Sequence, residues 1–245
     1  MAAKPLIAVT LNARELDRMV HWRNMFNGLQ TVGAIPMAVE CGSSILDIDH
    51  TVGTVDGLIL SGGGDVDPRR WGGPTDDPTL SWVNPVRDEN EIAAFEAAWR
   101  HDLPTLAICR GAQLVTAARG GVLYTDLPRD LGSPIAHRLG EEALLSTAHD
   151  VELVDGSRIA QWTQAGSRMQ VNSQHHQGVR RLAEGFIAAA HAPDGLVEAF
   201  ESVDHPVTAV QWHPEVNWAG CEYSYRILEG FVASCRHRMA PADAA

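Results

Sequence analysis

Short apolar runs alternate with helix-like segments along the first half of the chain. Leu6–Thr10, Val55–Leu60 and Pro104–Ile108 are runs of strand length. Asp88–His101 has apolar residues at helical spacing and acidic residues in its first turn, and Gln113–Ala118 predicts a further helix. This alternation predicts an α/β fold with a mostly parallel central sheet flanked by helices.

The second half is less regular and predicts some antiparallel strands. The predicted strands are Val151–Val154, Ile187–His191, Val197–Phe200 and Val207–Gln211. Ser224–Arg236 predicts a closing helix. The chain has no internal repeat and no linker-like stretch, so we expect a single domain over residues 1–238 and a frayed tail over residues 239–245.

Composition excludes several classes of partner. The formal charge of the 245 residues is −12, which disfavours nucleic acid and anionic membranes. The first apolar run is too short for a signal peptide, and no stretch is long enough to span a bilayer. The four cysteines lack CxxC spacing, so we expect a cytoplasmic protein without disulfides.

Cys109 stands where a predicted strand turns into a predicted helix. Ala107 and Gly111, two residues to either side, are small enough to permit a sharp turn. Such a turn exposes a nucleophile, and the following helix N-terminus favours its thiolate. It also directs the backbone N–H of Arg110 toward a developing oxyanion. The alternative is a buried core cysteine.

His213 and Glu215 follow a later predicted strand and are separated by Pro214. A cysteine nucleophile needs a base for its proton and a third group to orient that base. These two residues suit both roles, although a His-x-Glu pair also occurs by chance on surface loops.

Taken together, four blocks resemble the class I glutamine amidotransferase-like superfamily, and within it the γ-glutamyl-γ-aminobutyrate hydrolase (peptidase C26) family. The blocks are residues 56–68, residues 87–88 with 107–113 and 120–128, residues 171–178, and residues 192–198 with 211–215. The resemblance implies a flavodoxin-like sheet. It also implies a catalytic triad of Cys109, His213 and Glu215.

The resemblance implies further site residues. The oxyanion hole would use backbone N–H groups of Gly62 or Gly63 and of Arg110. The glutamyl group would be bound by a larger set: Arg110, Gln113, Asn172, Ser173, Gln174 and His175. A solvated loop is the alternative for His175 and His176. Ser61 and Thr125 depart from the family pattern near the place of the leaving amine.

The implied reaction is hydrolysis of a γ-glutamyl amide, a small-molecule substrate, to glutamate and an amine. The amine stays open among γ-aminobutyrate, a polyamine, ethanolamine, and an alkyl or aromatic amine of a catabolic pathway. The alternatives are a glutaminase subunit that delivers ammonia to a separate synthase, and a non-catalytic binding domain. We expect no cofactor and no metal, because Asp65 and Asp67 suit a glycine-rich turn. A homodimer stays open.

Overall fold

The computed structural model describes residues 3–12 and 20–239. Of the predicted tail, Met239 is the last residue of a helix, and residues 240–245 lie outside the described part.

The described strands form one mixed sheet of eleven strands. Its parallel half contains β1 (Leu6–Leu11), β2 (Ile35–Glu40), β3 (Gly57–Leu60), β4 (Thr105–Ile108) and β11 (Val207–Val210), in the order β2-β1-β3-β4-β11. β3, β4 and β11 are fully buried, as expected for strands covered on both faces.

An antiparallel half continues the sheet beyond β11. Its strands are β5 (Val122–Tyr124), β6 (His149–Leu153), β7 (Arg168–Val171), β8 (Gly178–Arg181), β9 (Phe186–His191) and β10 (Val197–Ser202). β10 pairs with β11, β9 and β8, and the sheet ends in β6 and β7. Predicted antiparallel strands in the second half are thereby confirmed.

Helices cover both faces of the sheet. They are α1 (Val20–Thr31), α2 (Ile48–Gly53), α3 (Pro85–Arg100), α4 (Arg110–Ala118), α5 (Leu127–Asp130), α6 (Arg158–Thr163), α7 (Pro214–Asn217) and α8 (Glu222–Met239). In the described ranges, 3₁₀ helices span Pro68–Arg70 and Glu141–Leu145. In β1, Ile7 and Val9 face the core beneath α1 and α8, whereas Ala8 faces the core beneath α2, α3 and α4. The predicted α/β class is confirmed.

Within the described ranges, no helix is long and apolar enough to cross a membrane. The carboxyl ends of β3, β4 and β11 meet at one edge of the sheet, because these strands are adjacent and parallel. In open α/β sheets this edge is where ligands bind.

Candidate active site

Cys109 occupies a strained turn between β4 and α4. Its φ of 51° and ψ of −105° are unfavourable for a residue with a side chain. Its backbone N–H donates to the Val210 carbonyl at 2.8 Å. A Cβ on Gly111 would lie 2.2 Å from the Leu60 carbonyl oxygen, so a glycine is required for α4 to pack this closely on β3. The turn thus places the thiol at the N-terminus of a nine-residue helix, which favours negative charge.

His213 and Glu215 lie just beyond the neighbouring strand, β11. His213 Nδ1 is 2.7 Å from Glu215 Oε1, and both residues are buried. Asn172 fixes the histidine backbone, because its side chain accepts from His213 N–H at 2.9 Å and donates to the His213 carbonyl at 2.9 Å. Glu215 therefore contacts the imidazole ring of His213, and Asn172 holds the main chain of the same residue.

The charges of the predicted triad residues shift the pKa values of His213 and Glu215 toward the charged forms. Burial opposes protonation of His213, yet the Cys109 thiolate and the Glu215 carboxylate raise its pKa well above the ordinary value. Burial likewise opposes ionisation of Glu215, but His213 and His21 lower the pKa of its carboxyl to about 2. The structure therefore brings the three predicted catalytic groups into one buried, coupled arrangement.

His21 is a fourth member of this arrangement that the sequence analysis missed. Its Nδ1 lies 3.1 Å from the same Glu215 oxygen, and its ring meets that of His213 edge to face at 5.0 Å. His21 reaches the site from α1, an element that was not predicted. No motif around it marks this role.

The glycine loop after β3 packs directly against the thiol and the imidazole. A Cβ on Gly62 would lie 3.1 Å from His213 Cε1 and 3.8 Å from Cys109 Cβ. Arg87 holds this loop by donating to the Gly62 carbonyl at 2.8 Å and to Ser61 Oγ at 3.0 Å. Gly62 and its neighbour Gly63 thus lie in the region where an oxyanion would form, and their role as donors stays a prediction.

The Arg110 side chain points away from the cavity. Its guanidinium forms buried ion pairs with Asp88 and Glu91, two acids of α3, and it does not line the cavity. Burial opposes ionisation of Glu91, but Arg110 and Arg87 hold the pKa of its carboxyl below the ordinary value. The guanidinium of Arg110 is therefore part of a structural ion-pair network and, contrary to the prediction, is not placed to contact substrate in the cavity. The backbone N–H of Arg110 lies at the start of α4.

The remaining predicted substrate residues divide into two groups. Gln113, Gln174 and His175 line the cavity above Cys109. Asn172 and Ser173 are buried and do not line it; Asn172 holds His213, and Ser173 Oγ donates to the His137 carbonyl at 2.7 Å.

Other cavity residues were not predicted as substrate contacts. Arg138 lines the cavity and is paired with Gln174 through an isolated backbone bridge. The apolar lining comes from Trp22, Met25 and Trp82, of which Trp82 is 60% exposed. His176 also lines the cavity, with Nε2 at 3.0 Å from Asp65 Oδ1. The lining of the cavity around the thiol thus includes both polar and apolar side chains.

Asp65 and Asp67 do not converge on a common point. Asp65 accepts from Ser81 N–H at 2.7 Å, and Asp67 is engaged by Arg69. In the part of the chain that the structure describes, two other groups bring three donor atoms close enough to share a metal ion. They are His21, His213 and Glu215 in the predicted active site, and His137, His149 and Glu198 outside it.

Comparison with known proteins shows the family of this chain. A family model described as Peptidase C26 matches residues 5–215. The glutamine amidotransferase-like protein YvdE of Lactococcus lactis is 36% identical over 196 residues, which cover 77% of this chain and 80% of that protein. The gamma-glutamyl-gamma-aminobutyrate hydrolase PuuD of Escherichia coli is 32% identical over 241 residues, covering 94% and 88%.

A crystal structure of a glutamine amidotransferase from Thermotoga maritima is also similar. Its TM-score is 0.63 at 14% identity, and the match covers 97% of this chain and 98% of that one. At this identity the likeness concerns the fold alone.

Proposed function

Because the chain belongs to the Peptidase C26 family, we propose that it hydrolyses a γ-glutamyl amide to glutamate and a free amine through a thioester on Cys109. The observation that carries this proposal is the arrangement of three side chains. Cys109 and His213 follow neighbouring strands of the sheet and line one cavity, and Glu215 Oε1 lies 2.7 Å from Nδ1 of the imidazole.

In the proposed first step, Cys109 Sγ attacks the γ-carbonyl carbon of the substrate. The carbon–nitrogen bond breaks, and His213 gives its proton to the departing amine. Backbone N–H groups of Arg110 and of Gly62 or Gly63 stabilise the oxyanion. Water then attacks the thioester with His213 as base, which releases glutamate and restores the thiol.

The polar side chains that line the cavity suit the amino-acid head of the glutamyl group. With the Arg110 guanidinium held by Asp88 and Glu91, Arg138 is a cation that lines the cavity and is available to the α-carboxylate. Gln113 is positioned by donating from Nε2 to the Gln177 carbonyl at 3.2 Å, and Gln174 Oε1 accepts from Gly140 N–H at 2.8 Å. These fixed amides suit the recognition of a small polar group.

A glutaminase that delivers ammonia is the second candidate, favoured by the amidotransferase-like description of YvdE. The two functions share one thioester and differ in the leaving amine. For the hydrolase, the apolar side chains of Trp82 and Met25 offer contact area to an amine larger than ammonia.

The test is glutamate release from γ-glutamyl conjugates of γ-aminobutyrate, putrescine, ethanolamine, isopropylamine and aniline, with glutamine as the comparison. We expect one conjugate to exceed glutamine by at least tenfold in kcat/KM. Turnover of glutamine alone, or of nothing until a synthase is supplied, would favour the glutaminase.

The covalent step has its own test. Acid-quenched protein should carry a glutamyl adduct by intact mass spectrometry, and Cys109→Ala should carry none while still binding substrate by calorimetry. Cys221→Ala, at a partly exposed cysteine elsewhere, is the matched control. Turnover by Cys109→Ala that matches the unsubstituted protein would exclude the thioester.

A further inference from the structure

A second cluster of buried titratable groups lies outside the predicted triad. His137 Nδ1 is 3.2 Å and His149 Nε2 is 3.8 Å from the same oxygen of Glu198, Oε1. The three side chains are at most 6% exposed. They come from three distant segments: the loop after α5, the first residue of β6, and the second residue of β10.

In His137 and His149, the ring nitrogen that faces away from Glu198 already has a hydrogen-bond acceptor. His137 Nε2 is 2.8 Å from Asp194 Oδ2, and His149 Nδ1 is 3.0 Å from the Asp150 carbonyl oxygen. Ser133 Oγ also donates to the same oxygen of Asp194 and so helps to fix this carboxylate. Since both outward partners are acceptors, each ring in its neutral form places its N–H outward and its lone pair toward Glu198.

The inward atoms make no hydrogen bond of good geometry. His137 Nδ1, His149 Nε2 and both carboxylate oxygens of Glu198 are buried, and the two ring nitrogens meet Glu198 Oε1 only at ion-pair distance. Lone pairs that face a carboxylate repel one another, and burial without a partner is costly. A cation among these atoms removes both penalties.

The distances from the two ring nitrogens to Glu198 match those between ligands of a single metal ion. Two ligands at zinc–nitrogen and zinc–oxygen bond lengths in a tetrahedron are about 3.4 Å apart. The two distances to Glu198 bracket that value. Outward hydrogen bonds from ligating histidines to a carboxylate and to a carbonyl are also the usual support of such sites.

We propose that this cluster binds one divalent transition-metal ion of the zinc class, ligated by His137 Nδ1, His149 Nε2 and the Glu198 carboxylate. Two nitrogens and one carboxylate form a ligand set that such ions accept. The proposal departs from the sequence-based expectation of no metal. It does not rest on the proposed hydrolysis, because the cluster shares no residue with the triad.

The metal ion would help to position residues that line the cavity. The carbonyl of His137 accepts from His175 N–H at 2.9 Å and from Ser173 Oγ, and its chain neighbour Arg138 bridges to Gln174. His175 itself places Nε2 at 3.5 Å from Glu198 Oε1. Binding of the ion would therefore fix the residues that hold Arg138 and Gln174 at the cavity.

The experiment uses the full chain carrying Cys109→Ala, so that the triad thiol cannot bind metal. Protein stripped with chelator is loaded with Zn²⁺, freed of excess ion and analysed by plasma mass spectrometry and thermal unfolding. We expect about one Zn²⁺ per chain and a rise in Tm on loading. Adding His149→Ala or Glu198→Gln should remove both effects, whereas His50→Ala, at an exposed histidine of α2, should leave them.

Co²⁺ provides a readout that requires no variant of the cluster. Co²⁺ bound by few ligands should absorb visible light, and added Zn²⁺ should displace it and abolish the absorption. No absorption and no retained Zn²⁺ would show that the cluster holds protons only, which overturns the proposal. Equal metal content with and without His149→Ala would place the ion elsewhere and also overturn it. Neither result depends on turnover, so failure here leaves the proposed hydrolysis standing.

Discussion

Nδ1 of His21 lies 3.1 Å from the Glu215 oxygen that His213 Nδ1 also approaches, at 2.7 Å. The carboxylate therefore lies between two imidazoles, one from α1 and one from the turn after β11. Because α1 lies on one face of the sheet, its packing helps to set the orientation of the predicted catalytic base.

His21→Phe should weaken this arrangement while keeping a ring against His213. Loss of the His21 contact should raise the pKa of Glu215 from about 2, because that contact helps to lower it. We expect kcat/KM to fall by about tenfold, the equivalent of one weakened charge-assisted hydrogen bond. The measurements are the kinetics and a ¹³C NMR titration of the Glu215 carboxyl. His101→Phe, at an exposed turn, is the control; an unmoved carboxyl pKa would contradict the prediction.

Cys109→Ala should lower the pKa of His213, because the thiolate is one of the charges that raise it. A histidine with a raised pKa in the fold stabilises it below the unfolded value of about 6.5, and this contribution is lost as pH rises through the folded-state value. The unsubstituted protein should therefore keep this contribution to a higher pH than the variant. ¹⁵N NMR of the imidazole and denaturant unfolding across this range measure both effects. An identical His213 titration in both proteins would show that the thiol carries no charge there.

Glu91→Gln should be strongly destabilising. Glu91 is fully buried and is paired with both Arg87 and Arg110. Removing one partner leaves buried guanidinium charge uncompensated, at a cost of about 3–5 kcal/mol in the free energy of unfolding. Glu96→Gln on the same helix removes only a half-exposed pair with Arg119 and should cost less than about 1 kcal/mol. Urea unfolding compares the two, and equal losses would contradict the buried network.

Gly111→Ala should disrupt the turn that bears Cys109. The new Cβ would lie 2.2 Å from the Leu60 carbonyl oxygen, so α4 must move away from β3. We expect a loss of about 1–3 kcal/mol in stability and a larger proportional loss of turnover, because the thiol moves with the helix. Gly53→Ala adds its Cβ to open space and is the control. Full activity of Gly111→Ala would show that the close packing of the turn is dispensable.

The parallel half of the fold was predictable because β1, β3 and β4 are unbroken apolar runs. β2 was missed, since it is an edge strand, partly exposed and interrupted by Pro36. α1 was also missed, although Trp22, Met25 and Leu29 follow helical spacing. The family resemblance is confirmed by the matching family model.

The site was predictable where a motif and a strand end coincide, as at Cys109 and His213. The direction of the Arg110 side chain was not, because Asp88 and Glu91 resemble ordinary acids of a helix start until α3 is packed against α4. The cluster at Glu198 has no local spacing signature, because its residues meet only when β6 and β10 are brought together by β9. Tertiary packing, rather than local pattern, decides both cases.

The position of β4 and β11 has a consequence for which amino-acid substitutions this protein can accept. Both strands lie in the interior of the sheet, and the register that pairs Ile108 with Val210 sets the separation between the predicted nucleophile and the predicted base. The residues around the rest of the cavity, such as Trp82 and Arg138, come from loops outside this register. Under the proposed function, loop substitutions can therefore change the substrate preference while the reacting atoms keep their spacing, so that one chemical step would serve different amines.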